Sequence, residues 1–261
     1  MPSLTSRLVR RFVSTAHCTP LASSPPPPRR SNCLSVNAAS HNATPLTVLE
    51  IFQSEGCRHG QSISAAIDTL LPELRGEALL LTYHVKHWER FGWHDTFGLS
   101  QSDDRRRDYF HHLKGSDDRV STPQVIVNGL TYSVGGSSQE LDRIVAKGVD
   151  EAKALEPISL KVVDSGSAVI INALVTQEYE ILTVTLVIYD PQPGEIEIKI
   201  GNDVGPRVLH QNVVQSITKI GLWGGGVQRF EIPERSVTTG LSAVILVQSG
   251  RGGPIVAAVL L

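Results

Sequence analysis

Apolar positions change period along the chain, and each change predicts an element. Residues 46–52, Leu46-Thr47-Val48-Leu49-Glu50-Ile51-Phe52, form a short apolar run of the kind that makes a buried strand. Residues 62–71 set Ile63, Ala66, Ile67, Leu70 and Leu71 at helical spacing, and Pro72 stops the helix. A second strand is predicted over residues 78–83, and a helix between two buried strands implies a parallel βαβ crossover. Residues 84–115 are polar, aromatic and charged, and read as an insertion with a helix around 102–113. Val125-Ile126-Val127, then Asn128-Gly129, then residues 130–134 predict a β-hairpin, because Asn-Gly suits a type I′ turn. Residues 138–155 are helical by the spacing of Leu141, Ile144, Val145 and Val149.

Beyond Pro157 the helical period disappears. Residues 158–163, 168–175, 179–189, 196–200, 228–232 and 242–248 are alternating or β-branched runs separated by Gly, Pro, Asn and Asp, which predicts an antiparallel β-sandwich. The order is therefore a leader over residues 1–43, an α/β domain over 44–156 and an all-β domain over 157–261. A length of 261 residues suffices for two cores.

Charge divides the chain unevenly. The first 43 residues hold Arg7, Arg10, Arg11, Arg29 and Arg30 and no acid, so a net charge of −2 for the whole leaves −7 for the remainder. A basic, serine-rich, acid-free start is expected of a transit peptide, addressing the protein to a mitochondrion or other organelle. The alternative is a tail without an address on a cytoplasmic protein. Four consecutive prolines, Pro25 to Pro28, favour an extended segment ahead of the folded part. The mildly acidic remainder gives no electrostatic ground for binding nucleic acid, and no apolar stretch reaches the ~18 residues of a membrane-spanning helix. Cys18 and Cys33 fall in the leader, which leaves Cys57 alone in the rest and rules out a disulfide within it.

Cys57 lies where the first strand should turn into the first helix, within Gly56-Cys57-Arg58-His59-Gly60. That is the place of a Cys-x-x-Cys redox motif with Gly60 at the second thiol's position. Thr122-Pro123, opening the third strand, is where thioredoxin-like folds put a cis peptide. The chain also resembles the thioredoxin-like family catalogued as domain of unknown function 1223. That resemblance rests on Leu49-Glu50-Ile51-Phe52-Gln53-Ser54-Glu55-Gly56-Cys57, Tyr83-His84-Val85 with Trp88, Phe91-Gly92-Trp93-His94-Asp95-Thr96-Phe97, Arg107 with Tyr109, and residues 122–129. In the second half it rests on Gly201-Asn202-Asp203-Val204-Gly205, His210-Gln211-Asn212-Val213-Val214 and Gly221-Leu222-Trp223-Gly224-Gly225. It implies a thioredoxin-like domain followed by a β-sandwich. The family usually carries Cys-x-x-Cys-Pro, so this chain lacks the resolving thiol.

Three chemistries compete for these residues. The leading expectation is a degenerate thioredoxin fold acting in binding, with a groove beside Thr122 and Pro123 and the aromatic residues Trp88 and Trp93. The second is monothiol redox chemistry: a helix N-terminus with Arg58 and His59 nearby favours the Cys57 thiolate, and His59 or His84 moves protons. Without a second thiol, turnover then needs glutathione or a protein thiol as co-substrate. No resident cofactor is expected. The third reading is a metal site drawn from Cys57, His59, His84, His87 and His94, although their spacing matches no ligand signature. Hydrolase-elbow, phosphate-loop and zinc-protease motifs are all missing from the sequence. The charged run Asp103-Asp104-Arg105-Arg106-Arg107 reads as helix-start acids and a solvated face.

Overall fold

The first apolar run forms strand β1 (Thr47–Gln53), buried along its whole length, and the second forms β2 (Ala78–His84), parallel to it with Leu49 opposite Leu80. The computed structural model describes residues 46–55, 63, 66–67, 69–70, 74, 77–86, 89, 92, 94–113, 122–135, 137–173, 181–197, 205, 207–233 and 239–261. Ile63, Ala66, Ile67, Thr69 and Leu70 are helical. Helix α1 spans Ser100–Leu113, and the hairpin β3 (Gln124–Val127) and β4 (Thr131–Val134) follows. Helix α2 (Ser138–Ala152) starts at Ser137, whose side chain accepts from the Glu140 N–H as an N-cap should.

The hairpin turn has Asn128 at φ 51° and Gly129 at φ 66°, the positive angles that an Asn-Gly pair tolerates best. Asn128 also extends the pairing of β1 with β3. Its N–H donates to the Val48 carbonyl at 2.8 Å, and its Oδ1 accepts from the Val48 N–H at 2.7 Å.

The β-rich half contains β5 (Ser159–Val163), β6 (Ala168–Asn172), β7 (Leu182–Asp190), β8 (Gly194–Glu197), β9 (Arg207–His210), β10 (Val213–Trp223), β11 (Gln228–Glu231), β12 (Ser242–Ser249) and β13 (Ile255–Leu260). Strand β10 has no counterpart among the runs expected from sequence. Register shifts between Val214 and Ser216 and between Lys219 and Gly221 break its two-residue period, which removes the pattern a sequence reading depends on.

Tertiary pairing joins the two halves. The main sheet has eight strands in the order β13-β12-β7-β10-β2-β1-β3-β4, so it crosses the boundary expected near residue 156. At the seam, β10 runs parallel to β2 through the pair Val213 and Thr82. Side chains extend that short ladder: the Thr82 hydroxyl donates to the Gln211 carbonyl at 2.8 Å, and the Asn212 amide donates to the Leu80 carbonyl at 3.0 Å. Residues 39–261 accordingly form one compact unit. A three-stranded sheet, β11-β6-β5, and the β8-β9 pair complete the strands among the described residues.

Alternation along the strands assigns the cores. Leu49, Ile51, Leu80, Val125 and Val127 pack with Ile63, Ile67, Leu141 and Ile144 from the helical segments. The opposite parity, Val48, Phe52, Leu81, Tyr83 and Ile126, packs with Tyr109 of α1 and with Val187, Val244 and Leu246 from the second half. Val169, Ile171 and Phe230 of the small sheet meet Val184, Leu186, Ile245 and the buried Trp223 in a third cluster. The structure is thus mixed α/β, with a large sheet and few helices.

Candidate functional site

Parallel strands of an α/β sheet carry their working groups at their C-terminal ends. Here β1 and β2 end side by side with Gln53 paired to His84. The β1–β3 register, carried one residue beyond the pair Phe52 and Gln124, sets Pro123 beside Gln53. Pro123, Gln53 and His84 therefore form a row across three strand ends. The Thr122–Pro123 peptide is cis, Pro123 is buried, and its carbonyl accepts from the Gly135 N–H at 3.0 Å.

His84 is wholly buried, with Nδ1 3.1 Å from each carboxylate oxygen of Asp95, itself buried. A carboxylate can only accept, so Nδ1 carries the hydrogen and Nε2 presents a lone pair while the ring is neutral. Asp95 also accepts from the Glu55 N–H at 2.8 Å and the Phe97 N–H at 3.0 Å. Burial pushes its proton affinity up, but the hydrogen bond and charge of the His84 imidazole and the Glu55 N–H outweigh it and hold the carboxyl below its ordinary range. Glu55 completes a reciprocal link, since its Oε1 accepts from the Thr96 N–H at 3.1 Å. Burial, with the Asp95 charge beside it, pushes the Glu55 carboxyl upward.

His210 reaches the same place from β9. Its ring centroid lies 4.7 Å from that of His84, edge to face, and its Nδ1 is 3.0 Å from the Gln53 side-chain nitrogen. Burial, then the neighbouring His84, pushes His210 down to about 3, so it stays neutral across the physiological range. Nε2 of both histidines is buried without a hydrogen-bond partner among the described residues.

A separate buried cluster ties α1 to both halves. Arg105 Nε and Nη2 donate to the two Glu50 carboxylate oxygens at 2.7 and 3.1 Å, Nη1 donates to Gln248 Oε1 at 3.0 Å, and the Tyr109 hydroxyl donates to Glu50. Arg106 is buried too, held by Asp103 at 3.1 Å. The expectation of a solvated charged face is corrected at these two positions, because α1 turns Arg105 and Arg106 inward while Asp104 and Arg107 stay exposed.

Of the residues singled out from sequence, His84, Thr122 and Pro123 come together at the strand ends. Cys57, His59, Trp88 and Trp93 lie outside the described residues. The metal reading loses His94, which is exposed and 3.2 Å from Glu89, away from buried His84. Among the described residues no group of three or more His, Cys, Asp or Glu could hold a metal ion. Sequence reasoning missed Gln53, Glu55, Asp95 and His210 as site residues. All four, Gln53, Glu55, Asp95 and His210, sit inside the stretches that carry the family resemblance, and that is their only signal in the sequence.

A mixed α/β protein with a buried His, Asp and Glu cluster at the ends of its parallel strands is the class these observations define. The chain belongs to the family described as protein of unknown function (DUF1223), whose profile matches residues 48–248. It is similar to a structural-genomics crystal structure of a protein from Agrobacterium tumefaciens, at 23% identity and a TM-score of 0.63, covering 84% of this chain and 95% of that one. At that identity the likeness is one of fold. No curated protein matches the chain. Among the described residues no helix is long and apolar enough to cross a membrane.

Proposed function

We propose that this chain is a non-classical thioredoxin-like protein acting in binding, with a thioredoxin-like arrangement over residues 44–156 and a β-sandwich over 157–261. The carrying observation is the row of Pro123, Gln53 and His84 across the ends of β3, β1 and β2. The strand order β2-β1-β3-β4, with β3 antiparallel and helical residues after β1 and β4, supports the thioredoxin-like part. The packing of β5, β6 and β11 against β7 and β12 supports the sandwich. The ligand is an extended, thiol-containing peptide lying along Thr122 and Pro123, with Trp88 and Trp93 as the aromatic side of the groove. S-methylglutathione tests this, because it offers a peptide and no free thiol. Saturable NMR shifts at Gln53 and His84, retained in Cys57→Ser, are expected; no shift at millimolar ligand overturns the reading.

A second reading, monothiol redox chemistry at Cys57 with glutathione as co-substrate, is favoured by one further observation. The buried titratable groups Glu55, Asp95 and His84 gather at the strand end that leads into Cys57. Incubation with glutathione disulfide should leave a glutathione adduct on Cys57. An apparent thiol pKa near the free-cysteine value of about 8.5, read by alkylation against pH, overturns it. The leader over residues 1–43 is proposed as a transit peptide; native protein should then begin between about residue 14 and residue 44, and an intact Met1 counts against cleavage.

A further inference from the structure

We infer that His84 and His210 hold a first-row transition ion of the zinc and copper class between their Nε2 atoms. The site is independent of the peptide-binding reading and uses only described residues. Both rings are buried and anchored from behind, His84 by Nδ1 on Asp95 at 3.1 Å and His210 by Nδ1 on the Gln53 amide at 3.0 Å. Both Nε2 atoms are buried without a hydrogen-bond partner among the described residues. Metal-ligating histidines have this arrangement, with one nitrogen on the ion and the other fixed by a hydrogen bond behind it. The ring separation fits as well. A zinc-class ion sits about 2.0–2.1 Å from an imidazole nitrogen, hence about 3.2 Å from the ring centre, so two rings sharing one ion at an angle between square and tetrahedral stand about 4.5–5.2 Å apart. His84 and His210 are 4.7 Å apart, centre to centre. Ring packing alone leaves both nitrogens stranded, which buried polar atoms of native proteins rarely are.

Hydrogens and charge agree with an ion there. Asp95 can only accept, so His84 carries its hydrogen on Nδ1 and offers a lone pair at Nε2. With an ion on His210 Nε2, the ring hydrogen lies on Nδ1, and the Gln53 amide turns over so that Oε1 accepts it; amide oxygen and nitrogen have the same shape, so the contact is kept. The ionisable groups that act on His210 are His84 and Asp95, so the fixed charge beside the rings is the Asp95 carboxylate. Imidazole nitrogen suits zinc and copper, and a carboxylate behind a ligating histidine strengthens it as a donor. Because the described residues supply two ligands and no cluster of three, the site is open, and water or a donor atom of an incoming ligand completes the coordination. The two histidines lie at the ends of β2 and β9, so the ion links the halves of the chain beside the β2–β10 seam.

The test is a Zn(II) titration of the full chain, followed by equilibrium dialysis and by the imidazole 15N resonances. One equivalent should bind, and the Nε2 resonances of His84 and His210 should shift together while those of the exposed His94, His111 and His112 stay in place. Asp95→Asn removes only the group behind His84 and should weaken binding by about 10- to 100-fold, and His210→Gln, which removes a ligand, should weaken it further. Shifts confined to the exposed histidines overturn the inference, as does an affinity unchanged in His210→Gln or no binding at millimolar Zn(II). Should either variant fail to fold, the wild-type resonances decide: a joint shift of the two Nε2 atoms supports the site, and two unmoved resonances overturn it.

Discussion

Arg105 on α1 and Glu50 on β1 meet in a two-point ion pair inside the core, at 2.7 and 3.1 Å, where Glu50 has no exposed surface. Burial alone would lower the proton affinity of the Arg105 guanidinium, but the Glu50 charge more than offsets it and the group stays protonated. Through Gln248 the same guanidinium reaches β12, so a single cation connects the first strand, the helix over it and the C-terminal strands. Glu50→Gln should therefore cost about 3–5 kcal/mol, the usual result of stranding one member of a buried pair. Denaturant unfolding of Glu50→Gln, Arg105→Met and the double variant checks this: the double change should cost less than the sum of the singles.

Gly129 is the second test of how the halves dock. A Cβ there would collide with the Gly253 carbonyl, and its φ of 66° already disfavours any side chain. The preceding Asn128 carbonyl accepts from the Ile255 N–H at 2.8 Å, so the turn and the start of β13 cannot separate freely. Gly129→Ala is expected to destabilise by about 1–3 kcal/mol, visible as a lower melting temperature.

Gly148 sets helix propensity against packing. In an exposed helix Gly→Ala gains about 1 kcal/mol. In α2, however, a Cβ at Gly148 would stand 2.8 Å from Thr131 Oγ1 and from Val127 Cγ1, and Thr131 is anchored by its 2.7 Å bond to the Ile144 carbonyl. Overpacking costs typically about 1–3 kcal/mol, so Gly148→Ala should be net destabilising. A rise in melting temperature would show that α2 can slide away from the hairpin.

His210 predicts acid sensitivity. Its folded value of about 3 lies below the ordinary 6.5, so below pH 6.5 the unfolded chain binds a proton that the native protein refuses. Stability is fully present above pH 6.5 and falls as the pH drops toward 3, at up to about 1.4 kcal/mol per pH unit from this group. Asp95 acts in the same direction at lower pH, because its depressed carboxyl stabilises only above the ordinary aspartate range and loses that contribution as it protonates. Glu55, pushed upward, opposes the trend. Unfolding free energy measured from pH 7 to pH 4 should fall less steeply in His210→Gln than in wild type.

Local pattern determined a good part of this protein. The apolar runs of β1 and β2, the helical spacing of Leu141 and Ile144 and the Asn128-Gly129 turn are short-range signals, because each element is specified by residues within one or two turns of each other. Of the candidate site, sequence located His84 and the Thr122-Pro123 step, since each sits at the end of a readable strand. Tertiary structure decided the rest. Whether Arg105 faces water or Glu50 depends on the rotation of α1 against a sheet that sequence treats as two, and the bulges of β10 hide the strand that joins those parts. His210 enters the site only because β10 pairs with β2, and a contact between residues so far apart in the chain leaves no trace in the spacing around either one.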